Sequence, residues 1–255
     1  MFIPLHDANH LKHIDVQYVT IGLIVANVIV FFLTAAGGED MAQAAVIGFG
    51  YIPSTVFDYA VRPPELDYVP DSATYLTYAF LHGDIWHLAG NMLFLWIFGD
   101  NVEDALGHVR FFVFYVLCAA GGALLHGLIV PESQAPLIGA SGAIAGIVAA
   151  YLMLHPKVKI WILAFGRIPL RIPAWIALAL WIGFQFLMLA FMGEDEVSWA
   201  AHVGGIVAGA ALVLVLRRRG VPLFDREIVM PRAVEVDTEP APRRAAAPSG
   251  PWGRQ

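Results

Sequence analysis

Ser141 lies in the run Gly139-Ala140-Ser141-Gly142-Ala143-Ile144-Ala145-Gly146, and His202 in Ala201-His202-Val203-Gly204-Gly205; each run sits inside a hydrophobic stretch, and a third such stretch separates them. A serine hydroxyl is a weak nucleophile at neutral pH, and an imidazole within hydrogen-bond reach is the usual base that activates it. Small residues around a serine also let two helices pack closely, and Gly142 with Gly146 fits that plainer role. Gly139 and Pro136, however, predict a helix that starts just before Ser141, which would leave free backbone N–H groups beside its hydroxyl. Such a helix start can hold a developing oxyanion.

Gly205 and Gly209 follow His202 on the same helical face, and Ser141, Ala145 and Ala149 form a similarly small face. The two helices are therefore expected to pack with Ser141 and His202 opposed at one depth. The plainer reading of His202 is a histidine satisfied by a backbone carbonyl. His87 and Asn91, four residues apart, share a face of another apolar segment. They can serve as interhelical hydrogen-bonding glue worth about 1 kcal/mol, or as donors aimed at a carbonyl oxygen. His82, at a junction between loop and helix, is expected to make a structural hydrogen bond, whereas His126 and His155 lie near span ends and look ordinary.

The elements that must position these residues are membrane spans. The chain of 255 residues is 58% hydrophobic and only 14% charged, with apolar residues in long blocks rather than in stripes. Charge-free stretches run over 16–38, 111–131, 133–156, 172–193 and 197–216, each near the roughly 20 residues that a spanning helix needs. A sixth, 85–99, is short but reads Trp-His-Leu-Ala-Gly-Asn-Met-Leu-Phe-Leu-Trp-Ile-Phe between its first and last residues. The expectation is an all-α membrane protein with six transmembrane helices: an N-terminal segment over 1–15, the six-helix domain over 16–219, and a tail over 220–255. The residues before the first span (Pro4, His6, Asp7, His10, Lys12, Asp15) do not read as a cleavable signal. The connection over 37–84 is too long for a simple turn, and its aromatic content predicts a folded piece against the membrane interface. Residues 231–255 are rich in proline, alanine and arginine and read as disordered.

Basic residues near span ends set orientation. Lys12, Arg110, Lys157, Lys159, Arg167, Arg171 and Arg217-Arg218-Arg219 fall on one side, which predicts that both termini are cytoplasmic; the membrane is expected to be the cell membrane. The opposite loops carry Glu39, Asp40, Asp58, Glu65, Asp67, Asp71, Glu132, Glu194, Asp195 and Glu196, with Arg62 as their one basic residue.

Other chemistries lack their residues. There is no His-Glu-x-x-His pair for zinc, and no two carboxylates inside spans for an aspartyl mechanism. Ionisable groups are not distributed along the spans as an ion pathway would need. No metal and no cofactor is expected. A lone cysteine, Cys118, makes an internal disulfide impossible and reads as a packing residue. No basic stripe suits nucleic acid.

Three motifs together resemble the rhomboid family of intramembrane serine proteases: His82-x-x-x-x-His87-x-x-x-Asn91, Gly139-Ala140-Ser141-Gly142, and Ala201-His202-x-x-Gly205-x-x-x-Gly209, all within about 75–216. The resemblance implies a six-helix rhomboid core with Ser141 as nucleophile and His202 as general base and then acid. It also implies that His87, Asn91 and the Ser141 N–H stabilise the oxyanion, without an acidic third member. The substrates implied are transmembrane segments of other proteins within the lipid bilayer; the alternative is a rhomboid-like protein that binds membrane clients without cutting them. Two positions depart from the family pattern. Ala73-Thr74 stands where some members have Trp-Arg, and Ala145 stands where many have an aromatic residue stacked on the histidine. His202 is thus expected to be held by a different neighbour.

Overall fold

The computed structural model describes residues 2–191 and 198–224, so Glu194, Asp195, Glu196 and the segment 231–255 lie outside the described residues. Nine α-helices occur among the described residues: α1 (Tyr18–Ala36), α2 (Gly38–Phe49), α3 (Pro53–Val56), α4 (Asp71–Thr77), α5 (Ile85–Leu106), α6 (His108–Ile129), α7 (Ser141–Leu154), α8 (Ala174–Phe191) and α9 (Trp199–Leu216). Four of them, α1, α6, α8 and α9, are long and apolar enough to cross a membrane. α1 and α8 turn apolar side chains outward, among them Ile29, Phe32 and Leu33 on α1 and Leu180, Leu187 and Phe191 on α8. Helices that satisfy their own backbone can present such faces to lipid.

α7 is the innermost helix, with every residue from Gly142 to Tyr151 buried. Its packing against α9 is made by glycines. A β-carbon at Gly146 would lie 2.9 Å from the Gly205 carbonyl oxygen, and β-carbons at Gly205 and Gly209 would collide with the backbones of Gly142 and Gly146. The seam therefore runs through Gly142 and Gly146, while Ala145 and Ala149 meet Ile206 beside it. α6 approaches α9 in the same manner, since a β-carbon at Gly122 would lie 2.8 Å from the Ala201 carbonyl oxygen.

Three features refine the sequence reading. First, the architecture is mostly helical but not purely so: β1 (Phe2–Asp7), β2 (Lys159–Ala164) and β3 (Ile168–Pro173) form an antiparallel sheet in the order β1-β2-β3. A hairpin between α7 and α8, turning through Phe165 and Gly166 at positive φ (51° and 68°), accepts the N-terminal strand on its free edge, with Phe2 opposite Ala164. Pairing across more than 150 residues leaves no local trace in the sequence. Second, the stretch 133–156 is helical only from Ser141 to Leu154, and residues before it form a loop pinned by the Tyr51–Leu137 bridge.

Third, α5 does not end near Gly99 but runs through Asp100, Asn101, Glu103 and Asp104 to Leu106. Those acids are tolerated because the N-terminal segment supplies donors. Glu103 accepts from the Val19 N–H (3.0 Å), the Thr20 N–H (2.8 Å) and the Thr20 hydroxyl (2.7 Å). It thereby caps the start of α1, whose own N-cap residue, Gln17, makes no side-chain cap bond. Asp104 accepts from the N–H groups of Lys12 (3.0 Å), His13 (2.6 Å) and Ile14 (2.8 Å).

The connection between α1 and α5 is folded around two buried residues. Tyr51 packs edge-on against Tyr75, and Arg62 pairs with Asp71 at 2.9 Å and Asp67 at 3.5 Å. Past α9, the chain stays docked as far as Phe224, whose N–H donates to the Met153 carbonyl at 2.6 Å.

Candidate active site

Ser141 is the first residue of α7, as Gly139 and Pro136 predict. The chain reaches it through Gly139, whose φ of +111° disfavours any residue with a side chain. A β-carbon there would also lie 2.7 Å from His87 Cε1 and Nε2 and 3.8 Å from Asn91 Nδ2. Gly139 is thus required twice, by its backbone conformation and by the closeness of the His87 ring. Its N–H donates to the Tyr78 carbonyl (3.0 Å), and the Tyr78 hydroxyl donates to the Ala119 carbonyl (2.8 Å). This fully buried tyrosine fixes the loop before Ser141 to α6.

His202, in the first turn of α9, brings Nε2 to 2.9 Å from Ser141 Oγ. The glycine seam sets this distance, because the backbones of α7 and α9 touch one turn further along. Ser198 caps α9, its hydroxyl accepting from the Ala201 N–H at 3.2 Å. The same hydroxyl lies 2.8 Å from Nδ1 of His126, so His126 supports the helix that carries His202.

His87 and Asn91 project from the first two turns of α5 toward the loop that leads to Ser141. Asp84 caps that helix, accepting from the N–H groups of Trp86 (2.7 Å) and His87 (2.9 Å), and these two bonds hold its carboxyl below the usual range. Asn91 is buried, yet its Nδ2 has no hydrogen-bond partner among the described residues. An unsatisfied buried amide costs about 1–3 kcal/mol, a cost that the described residues leave unrelieved at Asn91. The buried His82 ring nitrogens have no close hydrogen-bond partner among the described residues, and the Phe80 backbone is a polar group that acts on the ring. The ring packs T-shaped on His87 with centroids 5.1 Å apart, and burial followed by the nearness of His87 pushes its pKa down to about 4. It stays neutral and backs the His87 ring.

The neighbour that replaces an aromatic residue at Ala145 comes from α8. His202 Nδ1 lies 2.8 Å from Gln185 Oε1, and the ring is flanked by Trp181 (centroids 6.2 Å apart) and Trp199 (6.1 Å). Sequence reasoning passed over Gln185, although a signal was present: it is the one amide, and no charge occurs, in the apolar stretch 172–193. A lone polar side chain in such a span calls for a partner. The four residues singled out from sequence, Ser141, His202, His87 and Asn91, are all brought to one end of the helical bundle.

A helical membrane protein with a serine on a buried helix start and a histidine opposed to it is the class that this fold and site define. Residues 71–219 match the family described as Rhomboid domain, and the chain belongs to that family. It is 33% identical over 150 residues to Rhomboid protein 1, mitochondrial, of Saccharomyces cerevisiae, covering 57% of this chain and 42% of the yeast protein. It is 29% identical over 199 residues to Rhomboid-related protein 1 of Caenorhabditis elegans, covering 74% and 52%. With Rhomboid-related protein 3 of Homo sapiens the identity is 29% over 163 residues, covering 60% and 39%. The chain thus spans between about two fifths and one half of the length of these relatives.

Proposed function

We propose that this protein is an intramembrane serine endopeptidase that cleaves transmembrane segments of other membrane proteins with a Ser141–His202 dyad. The observation that carries the reading is the 2.9 Å approach of His202 Nε2 to Ser141 Oγ at the start of a buried helix. Ser141 Oγ attacks the scissile carbonyl carbon while its proton passes to His202 Nε2. The resulting oxyanion takes donors from the Ser141 N–H, Asn91 Nδ2 and the His87 ring. Collapse breaks the C–N bond, and the leaving amine takes the proton from His202. A water, deprotonated by His202, then attacks the acyl-serine ester, releasing a carboxylate and restoring Ser141.

Depth supports the same reading. α7 has 14 residues and is about 21 Å long at about 1.5 Å per residue, short of the roughly 30 Å hydrocarbon thickness. Its far end leads into Lys157 and Lys159 and the hairpin that carries Arg167 and Arg171. With that basic end at the cytoplasmic surface of the cell membrane, six helices span and Ser141 lies below the opposite surface, where a transmembrane substrate unwinds to meet it.

The test is labelling with a serine-directed fluorophosphonate alongside cleavage of a model transmembrane substrate in detergent. Wild type should label and cut, and Ser141→Ala should do neither. A folded wild-type protein that binds the substrate without labelling or cutting would be a client-binding protein, and the protease reading would be lost.

A further inference from the structure

Gln185 accounts for the way His202 is held, and its hydrogen bonds fix more than position. The side chain is 2% exposed, deep on α8. Its Nε2 donates to the Trp181 carbonyl one turn back at 3.0 Å. A carbonyl can only accept, so the NH₂ group must face Trp181 and Oε1 must face His202. An amide oxygen is likewise only an acceptor, so His202 must present Nδ1–H to it across 2.8 Å. A neutral imidazole protonated on Nδ1 carries its lone pair on Nε2. That is the nitrogen 2.9 Å from Ser141 Oγ.

We propose that Gln185 is a positioning residue for the Ser141–His202 dyad, setting the His202 tautomer through a neutral amide where other catalytic histidines are oriented by a carboxylate. The inference rests on the protease reading above. As Nε2 gains a proton, the Nδ1–H becomes a stronger donor, so Oε1 also favours the imidazolium formed during attack. Because the amide carries no charge, it does so without placing a carboxylate on the lipid-facing helix α8. Trp181 and Trp199 flank the ring, and the hydrogen bond to Gln185 fixes which nitrogen carries the proton.

The experiment compares Gln185→Leu and Gln185→Glu with wild type, reading substrate cleavage, the fluorophosphonate labelling rate and thermal unfolding in detergent. Each is followed across pH, with Ser141→Ala as the control. Gln185→Leu should lower both rates by about 10- to 100-fold, by analogy with the loss of the outer partner that orients a metal-bound histidine, and should move the acidic limb of the kcat/KM profile to lower pH. Gln185→Glu should retain far more activity than Gln185→Leu and move that limb to higher pH, since a nearby negative charge favours imidazolium. A structural role alone would change the unfolding temperature and leave the limb in place. If both variants titrate at the wild-type position, or if folded Gln185→Leu works at the wild-type rate, the inference falls while the dyad stands. If Ser141→Ala still cleaves, the dyad falls instead.

Discussion

Two sets of buried polar groups, at opposite ends of the helical bundle, differ in how fully they are hydrogen-bonded. At the basic end, Glu103 and Asp104 each collect at least three donors, and both are buried. At the other end, Asn91 Nδ2 is buried and has no partner among the described residues, and the His87 ring lies against a neutral His82 and close to Gly139. Saturated groups stabilise the folded chain. An unsatisfied donor detracts from stability and is useful only when a ligand or transition state supplies the acceptor. On the proposed function, the difference separates a region that holds the fold from one that acts, and it can be tested one residue at a time.

The largest effect belongs to the acting end. Ser141→Ala and His202→Ala should each reduce cleavage by about 10³-fold or more without lowering the unfolding temperature much, and the double variant should lose little beyond either single one, because members of a dyad act as a unit. Single losses that instead multiply in the double variant would mean that the two residues work separately, whatever their 2.9 Å separation. Asn91→Ala comes next. Removing one oxyanion donor typically costs about 10²- to 10³-fold in kcat. Because Nδ2 has no partner to lose, stability should hold or rise slightly. A cleavage rate equal to wild type, or a large drop in unfolding temperature, would show that Asn91 is structural glue.

This contrast was only half legible in the sequence. The acting end is written locally: Ser141 beside Gly139 and Gly142, His202 beside Gly205, and His87 four residues from Asn91 all announce themselves by type and spacing. Even the partner expected for His202 could be inferred as missing from position 145, though not found, because Gln185 contacts it from a helix 17 residues away in the chain. The holding end depends on pairings of high sequence separation. Nothing near Asp104 says that the N–H groups of residues 12–14 will saturate it, and nothing in Phe2–Asp7 says that it will extend a hairpin at Lys159–Ala164. Counting acids in isolation therefore ended α5 at Gly99, whereas acids already supplied with donors allow it to continue.

At the holding end, Asp104→Ala should mirror Asn91→Ala. It strands three backbone N–H groups, each worth about 1 kcal/mol, so unfolding should cost about 3 kcal/mol less while the specific activity of the folded fraction is unchanged. Equilibrium unfolding in detergent, scored beside activity per fluorophosphonate-reactive site, checks both parts. A specific activity that fell together with stability would mean that the two ends are coupled through α5, and the division drawn between them would not hold.

The smallest effect concerns Asp7 at the end of β1, which accepts from the Tyr151 hydroxyl at 2.7 Å and from Asn101 Nδ2 at 3.1 Å. Burial outweighs those bonds and raises its pKa from 3.8 to about 6. A group whose folded pKa lies above its unfolded value binds its proton more tightly when folded. Its contribution is therefore complete below pH 3.8 and is lost as the pH rises through about 6. Stability contributed by the docked strand should thus decline between about pH 4 and 6, by on the order of 3 kcal/mol at most at about 1.4 kcal/mol per pKa unit. Asp7→Asn keeps the shape and cannot ionise, so it should remove that slope from the difference between the two unfolding curves. Protease protection of the N-terminal segment, measured at pH 4.5 and 7 for wild type and variant, locates the effect. Equal protection of the wild-type strand at both values would show that Asp7 ionises without cost where it is, and that the holding end tolerates a buried charge more readily than its saturated hydrogen bonds imply.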